Sequence, residues 1–528
     1  MFRFTTALLF VCLPLFAQIA QADQPLHKRI DALILAKAGG KVSERSSDAE
    51  FLRRVYLDFA GRIPTAQEAR TFLNDKNAKK RTQLIDRMLA SKEYPVRMAE
   101  AFSIMFMERL GEHKAWESYL QKCFAENKPW DTMTREMLAG KSDDKETAGA
   151  VFFLSKRLEN YGQNPVDYPG LASDIGRLFM GKDFACAQCH DHIFIKDYKQ
   201  RDMQGLLAFV QNVSVRRGDM PAVQEKPTTK KVEFSSVFEG EANFTGPRVP
   251  GVKEIDIPKF KRGEEYLVKP DRKKRTPGVL KFSPLEKLAE ILPTPENKDF
   301  NRNIANRLWF LMMGRGIIHP LDLAHSDNPP SHPELLDLLA REMVAHKYDI
   351  KWMIRELALT ETYQRSSQLP KGEKKVEAKK FRTAIQRRLS PEQLLRTMLI
   401  ATGEKDAKGG ATFDKSRSLF LKAFANPPRE PEEEFSPTLK AALFVLNDGT
   451  VQSWLQSKPG NLQDRLAKIK DGKQLVEELY LSVLTRLPSE REAKIVSDYL
   501  ARRKDNRTEA LRNLTWALVA TTEFCVNH

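Results

Sequence analysis

The stretch VYLDFAGRIPTAQEAR, at residues 55–70, holds the pattern that decides the fold. A helical run is followed by an arginine, an aliphatic residue, a proline and a capping residue, after which a second helical run begins. LYLSVLTRLPSEREAK, at residues 479–494, aligns with it without gaps. A second element recurs as LASKEY at 89–94, LALTETY at 357–363 and LVATTEF at 518–524. We interpret both recurrences as helical-hairpin units, whose irregular spacing argues against a solenoid.

Helix starts are marked by capping boxes, in which an N-cap hydroxyl and the third helical side chain satisfy each other's backbone N–H groups. The pairs that match are Thr65 with Glu68, Ser331 with Glu334, Ser390 with Gln393, and Ser489 with Glu492. Pro333 and Pro391 follow two of these caps, in the first turn, where a missing N–H is harmless. The sequence therefore predicts a mainly α fold made of multi-helical hairpin domains.

One region breaks the helical pattern. From about residue 216 to 280 prolines and glycines multiply, and KKVEFSSVFEGEANF alternates as short strands do. We predict a β-rich insert or linker over residues 216–285, between a helical domain at 23–215 and a second one at 286–528. A lysine-rich stretch at 366–380 has few large apolar residues, which predicts an exposed loop.

The first residues are typical of a secretory signal peptide. Arg3 precedes an apolar run at residues 7–17, and AQA at 20–22 supplies an A-x-A cleavage site. Pro14 interrupts the run, which is also shorter than the roughly 20 residues that span a bilayer. We therefore predict a signal peptide at residues 1–22, a periplasmic or secreted protein, and no membrane span after cleavage.

The chain is basic, with a formal net charge of +16, and removing residues 1–22 takes away only the charge of Arg3, which leaves +15. Lysines and arginines interleave with acids on helix-like segments, as on solvated helix faces. We therefore expect no nucleic-acid partner. An anionic polysaccharide or an envelope redox protein is the expected kind of partner.

The motif that carries chemistry is CAQCH, in which Cys186 and Cys189 lie three residues apart and His190 follows directly. C-x-x-C-H is the pattern of c-type haem attachment: the thiols add to the two vinyl groups and the histidine takes the proximal face of the iron. The three side chains then bind different atoms of one large cofactor. The sequence thus favours a covalent haem c with His190 as the proximal iron ligand.

A zinc site is one alternative. Neighbouring residues such as Cys189 and His190 rarely reach two corners of one tetrahedral ion, whose ligand bonds are near 2 Å. A zinc site would therefore use Cys186, Cys189, His192 and an acid such as Asp191 or Asp197.

Four cysteines follow the signal, too few for a disulfide scaffold in a chain of this length: Cys123, Cys186, Cys189 and Cys525. The motif pair is open to two further interpretations, a redox dithiol or a structural disulfide. A redox pair normally follows a strand, whereas residues 171–180 have a helical pattern. Cys123 and Cys525 are either bridged to each other or separate thiols.

A distal iron ligand is usually Met or His. His192 is only two residues from His190, so it does not easily reach the opposite face of the same iron. Core packing is the ordinary role of a helical methionine, and an open, ligand-binding iron is the alternative to methionine ligation. The distal candidates that flank the motif are Met180, Met203 and Met220.

Residues outside this motif have more ordinary interpretations. His332 stands at the start of a helix with an apolar stripe, so we expect it to cap that helix. The sequence has no strand-turn-helix nucleophile elbow and no phosphate-cradling glycine loop.

FACAQCHDHIFIKDYKQRDMQGLLAFV, at residues 184–210, resembles the central signature of the planctomycete cytochrome-c-like domains of unknown function, the PSCyt type. Residues 51–73 and 81–94 resemble the opening of that domain. Residues 301–367 are similar to the companion PSD-type domain, as are RRLSPEQLL and LVATTEFCVNH further on. Together these motifs cover most of the mature chain.

The resemblance implies a haem site at Cys186, Cys189 and His190, with motif neighbours Asp191, His192, Asp197 and Tyr198. The activity of the family is unassigned. Many relatives have Asn or Ser where His332 stands, and the segment after the motif is more basic here than in the family. In the second domain the matching residues are Asn306, Arg307, Trp309, Gly314, Arg315, Gly316, Asp322, Ser331, His332, Pro333 and Glu334.

Arg307 and Arg315 raise a separate question. We expect them to form an ion-paired turn with Asp322, because long polar side chains near a turn more often order it. The alternative is that they bind an anionic ligand or a haem propionate.

Three functions are consistent with the sequence. The first is an exported c-type haem protein that transfers electrons or senses a ligand in the cell envelope. The second is a binding or scaffold module in which C-x-x-C-H is a disulfide or zinc clip. The third is an envelope enzyme that acts on polysaccharides.

Overall fold

A computed structural model describes residues 24–528 apart from 161, 217, 239, 272, 274–275, 405–409, 431–443 and 445–446. Ten helices of this part of the chain precede the strands: α1 (Leu26–Lys37), α2 (Asp48–Ala60), α3 (Ala66–Asn74), α4 (Lys80–Leu89), α5 (Glu93–Met107), α6 (Lys114–Ala125), α7 (Trp130–Ala139), α8 (Phe152–Arg157), α9 (Tyr168–Met180) and α10 (Gln200–Val210). The predicted signal peptide, residues 1–22, lies outside the described residues.

Six short strands follow: β1 (Val213–Val215), β2 (Val223–Glu225), β3 (Val232–Ser235), β4 (Ala242–Thr245), β5 (Tyr266–Val268) and β6 (Val279–Leu280). They pair as three separate antiparallel hairpins, β1 with β2, β3 with β4 and β5 with β6. The predicted β-rich character of this region is confirmed, and its alternating segment forms the β3–β4 hairpin.

Twelve further helices complete the described fold: α11 (Pro284–Ile291), α12 (Lys298–Met313), α13 (Pro333–Ala345), α14 (Ile350–Leu359), α15 (Pro391–Thr402), α16 (Ala411–Phe424), α17 (Gly449–Trp454), α18 (Leu462–Lys468), α19 (Gly472–Leu484), α20 (Glu490–Arg502), α21 (Arg507–Val519) and α22 (Thr522–Cys525). Two-residue strands β7 (Arg387–Arg388) and β8 (Val526–Asn527) pair antiparallel. The prediction of a mainly α fold is confirmed. None of the described helices is long and apolar enough to cross a membrane.

The two aligned stretches adopt the same local structure. α2 ends at Gly61 and α19 ends at Thr485, and both end residues have left-handed backbone conformations, with φ of 67° and 66°. α3 and α20 then begin with full capping boxes, at Thr65 and Ser489 respectively. The predicted hairpin units are therefore present at both ends of the described chain.

Capping predictions hold at Thr65, Ser390 and Ser489, where both hydrogen bonds of the box form. The prediction at Ser331 is wrong. The backbone N–H and the hydroxyl of Ser331 both donate to the carbonyl of Ile317, so the N-cap position of α13 passes to His332. The side chain of His332 makes no capping hydrogen bond, so its expected capping role is also wrong.

Two hydrophobic cores organise the molecule. The first draws on residues from Leu26 to Phe381, with Leu481, and thus combines both predicted helical domains. The second is built mainly from residues 389–524. α2 contributes to both, since Val55 packs in the first core and Leu57 in the second.

Candidate functional site

The C-x-x-C-H motif lies on an exposed turn directly after α9. Gly181 ends α9 in a left-handed conformation, and the thiols lie at and just after a short 3₁₀ helix, Ala185–Gln188. Cys186 and Cys189 are exposed and not disulfide-bonded. The Asp183 carboxylate fixes the start of the turn, because it accepts hydrogen bonds from Ala185 N (2.9 Å) and from the Ser173 hydroxyl (2.8 Å).

Two glutamines of α10 hold the same turn from the other side. Gln200 and Gln204 donate from their side-chain amides to the carbonyl of Gln188, at 3.2 and 2.9 Å. Gln200 also donates to the carbonyl of Ser235, at 3.0 Å, and so ties the β3–β4 hairpin to the motif. The next residues of the hairpin reach the motif itself, where Val237 N donates to the Cys189 carbonyl at 3.1 Å.

A hydrogen bond fixes the tautomer of the His190 imidazole. Its Nδ1 lies 2.6 Å from the carbonyl oxygen of Asp191. A carbonyl oxygen only accepts hydrogen bonds, so Nδ1 carries the proton, and in the neutral ring Nε2 then keeps its lone pair. Metal-ligating histidines ordinarily hold their second nitrogen in this way.

His192 has the opposite arrangement. Its Nδ1 accepts hydrogen bonds from Phe194 N (3.2 Å) and Ile195 N (2.9 Å), so in the neutral ring the proton is on Nε2. Its backbone N donates to the Tyr198 carbonyl at 2.9 Å. His192 therefore closes the loop after the motif.

The remaining motif neighbours also hold this loop. Asp191 accepts from Gln200 N and from the Lys199 ammonium, both at 2.9 Å. Partial burial raises the pKa of Asp191, but the hydrogen bonds from Lys199 and Gln200 and the charge of Lys199 together outweigh it, so the pKa is lowered. Asp197 accepts from Ser326 N at 2.5 Å, which joins the loop to the second domain. Burial raises the pKa of Tyr198, whose ring is tilted against that of Phe184, with 5.2 Å between the ring centroids.

Large apolar side chains are exposed next to the motif. Ile193 and Phe194 lie three and four residues after His190 and are 66% and 79% exposed, while Val237 and Phe238 on the hairpin are 67% and 70% exposed. The ring of Phe238 lies 4.9 Å from the His190 imidazole, centroid to centroid. Several large apolar side chains exposed near one motif are typical of a place that a ligand or partner covers.

These features fit a haem. Both thiols are accessible, the histidine next to them has a free Nε2 in its neutral form, and exposed apolar side chains lie close by, Phe238 against the imidazole itself. The zinc alternative fits less well. Among the described residues no group of three or more His, Cys, Asp or Glu is gathered as a metal site, and the Nδ1 lone pair of His192 is taken by two N–H groups of the loop.

The methionine candidates for a distal ligand differ in exposure. Met180 and Met203 are each 1% exposed and belong to the first core, whereas Met220 is 43% exposed in the connection between β1 and β2. Because Met180 and Met203 are buried, Met220 is the favoured candidate for a distal iron ligand.

The two cysteines outside the motif do not form a bridge. Burial raises the pKa of the Cys123 thiol to about 12, and burial also raises the pKa of Cys525. Reactive thiols are the accessible ones whose thiolate forms readily. The accessible pair of the motif is therefore the reactive pair.

The PSD-type residues build the turn that follows α12. Asn306 accepts from the backbone N of Ile317 (2.7 Å) and of Ile318 (3.0 Å), and donates to the Ile318 carbonyl (2.8 Å). Gly314 ends α12 with φ of 80°, and a Cβ atom at Gly316 would lie 2.1 Å from the Ile318 carbonyl oxygen. The two glycines are thus required by the tight turn.

Arg307 and Asp322 form the expected ion pair, whereas Arg315 does not join it. Arg177 of α9 takes that place, and it binds Asp322 at 2.9 Å and Glu108 at 2.7 Å. Asp183 N donates to the Asp322 carbonyl at 3.0 Å. The support of the C-x-x-C-H turn is therefore continuous with the second domain.

His332 is buried, at 2% exposure, with its Nδ1 3.1 Å from the Ser331 hydroxyl. Burial, reinforced by Lys37 and Lys380, lowers its pKa to about 4. A neutral, buried imidazole packed against Phe381 is a core residue.

The fold and the site together define a mainly helical protein with a C-x-x-C-H motif on an exposed turn, braced by a second helical domain. The chain belongs to the proteins in which a PSCyt2 domain precedes a PSD1 domain: residues 29–215 match PSCyt2, a protein of unknown function (DUF1549), and residues 286–418 match PSD1, a protein of unknown function (DUF1553). PSCyt2 is a planctomycete cytochrome-like family. No curated protein and no solved structure is significantly similar to the chain.

Proposed function

We propose that the chain is an exported c-type haem-binding protein of the cell envelope, which transfers electrons or senses a ligand at its haem. The observation that carries the proposal is that two accessible thiols adjoin an imidazole whose Nδ1 donates to a carbonyl, with exposed apolar side chains close by. The predicted signal sequence supports a periplasmic or secreted location.

Each residue of the site has a distinct role in this proposal. Cys186 and Cys189 each add a thiol across a vinyl double bond, so that one S–C bond forms and the thiol proton passes to the neighbouring vinyl carbon. No oxidant is consumed. His190 offers its Nε2 lone pair, and the Asp191 carbonyl fixes the ring and increases its basicity. The bound haem supplies one-electron chemistry or an iron that takes a small ligand.

The apolar side chains have a second role. Phe194, Val237 and Phe238 would limit the access of water to a haem held by the motif, and low solvent access is one of the protein's means of setting a reduction potential. Their exposed outer surface also suits contact with an envelope redox partner, whose approach would shield the same residues.

The test is covalent haem attachment. The full chain is expressed with a periplasmic haem-ligation system, and a denaturing gel is stained for haem peroxidase activity. We expect a stained band in the wild type that is lost when Cys186 and Cys189 are both changed to Ala, because covalent haem alone survives denaturation. Cys525→Ala is the matched control, since it removes one thiol outside the motif, and it should retain the band.

An unstained wild-type band would refute the haem assignment. Mass spectrometry of the peptide that spans the motif then separates the alternatives. A disulfide between the two cysteines indicates a structural clip, and zinc in a colourless native sample indicates the metal-site alternative.

A further inference from the structure

A cavity of about 490 Å³ lies where the two family domains meet. α5 contributes Arg97, α12 and its following turn contribute Arg307 and Arg315, and residues 385–391 form another wall. Its volume is typical of a small-molecule site. Cys186, Cys189 and His190 do not line it, so it is distinct from the candidate haem site.

Among the described residues that line the cavity, positive charge exceeds negative charge. The three carboxylates that line it are Asp58, Glu108 and Asp322, and the five arginines are Arg97, Arg307, Arg315, Arg387 and Arg388. All three carboxylates are already bound: Asp58 accepts from Arg387 at 2.9 Å, and Glu108 and Asp322 accept from Arg177, which does not line the cavity.

Arg97 is a buried guanidinium without a partner. It is 8% exposed and makes no hydrogen bond or ion pair with any residue that the structure describes. The neighbouring Glu100 is occupied by Arg396, at 2.7 Å. Burial lowers the pKa of Arg97. A buried charge normally has a partner, because desolvation is otherwise uncompensated.

Arg315 is a second arginine without a partner in the described part of the chain. Its position is fixed by the glycines on either side. A Cβ atom at Gly314 would come within 2.8 Å of the Arg387 side chain, and one at Gly316 would meet the Ile318 carbonyl. The turn therefore holds Arg315 at the cavity, although nothing in the described protein binds it there.

The rest of the lining mixes polar with apolar side chains, and its apolar part includes Phe310, Leu311, Ile385 and Phe424. We propose that this cavity binds a small organic anion, whose carboxylate, sulfate or phosphate group is held by Arg97 and Arg315 and whose body packs on the apolar wall. Guanidinium groups suit such oxyanions because their N–H groups match the oxyanion geometry in pairs. The proposal does not depend on haem.

The test is binding to the purified full chain, measured by titration calorimetry at constant ionic strength. The probes are sodium sulfate, glucuronate, glucose 6-sulfate and, as the neutral analogue, glucose. We expect saturable binding of at least one anion and none of glucose. The probe that binds identifies the oxyanion that the site prefers: sulfate alone, a sulfated sugar or a uronate. Any of these three outcomes supports the proposed anion site.

Variants separate the cavity from the general charge of the surface. Arg315→Gln and Arg97→Gln should each weaken binding at least tenfold. Arg355→Gln removes an arginine that pairs with Asp86 on the exposed surface and should bind as the wild type does. If Arg97→Gln does not fold, the affinity of the Arg315→Gln variant alone tests the proposal, because Arg315 is only half-buried. Unchanged affinity in Arg315→Gln, or no anion binding above that of glucose, would overturn the proposal.

Discussion

At the scale of single residues, the internal repeat extends to individual ion pairs. Arg62 binds Glu68 and Glu93, and its counterpart Arg486 binds Glu492 and Glu523. Each arginine also lies over the ring of a tyrosine, and these two tyrosines occupy equivalent positions in the two stretches. The guanidinium carbon is 5.1 Å from the ring centroid of Tyr56 in the first copy and 5.3 Å from that of Tyr480 in the second. The two glutamates in the more distant positions come from the recurring LASKEY and LVATTEF elements. One arginine thus joins three helices in each copy.

The ion pairs of Arg62 and Arg486 predict that the stability of the protein depends on pH. The pKa of Glu68 and that of Glu492 are each lowered to about 2 from the ordinary 4.5. For Glu68, burial raises the pKa, but the hydrogen bonds and charge of Arg62 and the hydrogen bonds from Thr65 together outweigh it. For Glu492, the hydrogen bonds from Arg486 are the largest effect. Because the folded pKa is the lower one, the stabilisation is complete above pH 4.5 and is lost as the pH falls towards 2.

Glu68→Gln and Glu492→Gln should each lower the free energy of unfolding by about 1–3 kcal/mol at neutral pH, since each breaks a charge-assisted pair. Urea unfolding at a series of pH values measures the effect, and the difference from wild type should shrink between pH 5 and pH 2. Glu490→Gln, in the first turn of α20, is the control, with a change of about 0.5 kcal/mol or less. If the difference in free energy of unfolding between variant and wild type persists at pH 2, the ion pairs are not its cause.

At this scale the sequence predicts what is local. The capping boxes and the C-x-x-C-H motif are short patterns whose partners lie within a few residues. Glu93, Glu523 and the hairpin tip at Phe238 lie tens of residues from their partners. No periodic pattern in the sequence indicates pairs that are so far apart. The internal repeat does indicate, however, that Arg62 and Arg486 have equivalent partners.

At the scale of elements, the repeat contains one mismatch. Gly61 and Thr485 occupy the same left-handed position after α2 and α19. Glycine adopts this conformation without strain, whereas a β-branched residue is strained there. Thr485 is also fully buried, and its hydroxyl has no hydrogen-bond partner among the described residues.

Thr485→Gly should therefore stabilise the protein by about 0.5–1 kcal/mol, because relief of strain and of a buried hydroxyl exceeds the entropy cost of a glycine. The reciprocal change, Gly61→Thr, should destabilise it by more, since a Cβ atom there lies 3.1 Å from the Arg97 side chain. Thermal unfolding of both variants measures the pair. A stabilising Gly61→Thr would contradict the strain argument.

The failed capping box at Ser331 shows the limit of element prediction. The pattern is correct, but the turn after α12 arrives close enough for the Ile317 carbonyl to take both donors of Ser331. A tertiary contact thus shifts the start of α13 by one residue. The sequence alone does not contain that proximity.

At the scale of the whole molecule, the first hydrophobic core contains residues of both family domains. Phe102 of α5 and Trp309 of α12 belong to the same cluster, as do residues from Leu26 to Phe381. Sequence patterns predict the order of the two domains, but they do not predict that the domains share one core, because those contacts join residues hundreds of positions apart.

Neither half should therefore fold alone. Expressed separately, residues 24–285 and 286–528 should each lack a cooperative unfolding transition, and mixing them should restore it, because each half leaves its part of the shared core exposed. Denaturant unfolding followed by circular dichroism measures this. Cooperative unfolding of residues 24–285 at the wild-type midpoint would show that the shared core is not needed.

α9 is the structural feature with the widest reach. Its Arg177 grips the carboxylates of the cavity wall, and three residues beyond its end Asp183 anchors the turn that carries the thiols. A rigid helix that touches two sites is a route for allosteric coupling. If both sites are occupied as proposed, thermodynamic linkage requires reciprocity: an anion that shifts the reduction potential of the iron is itself held more tightly in one oxidation state, by the same factor.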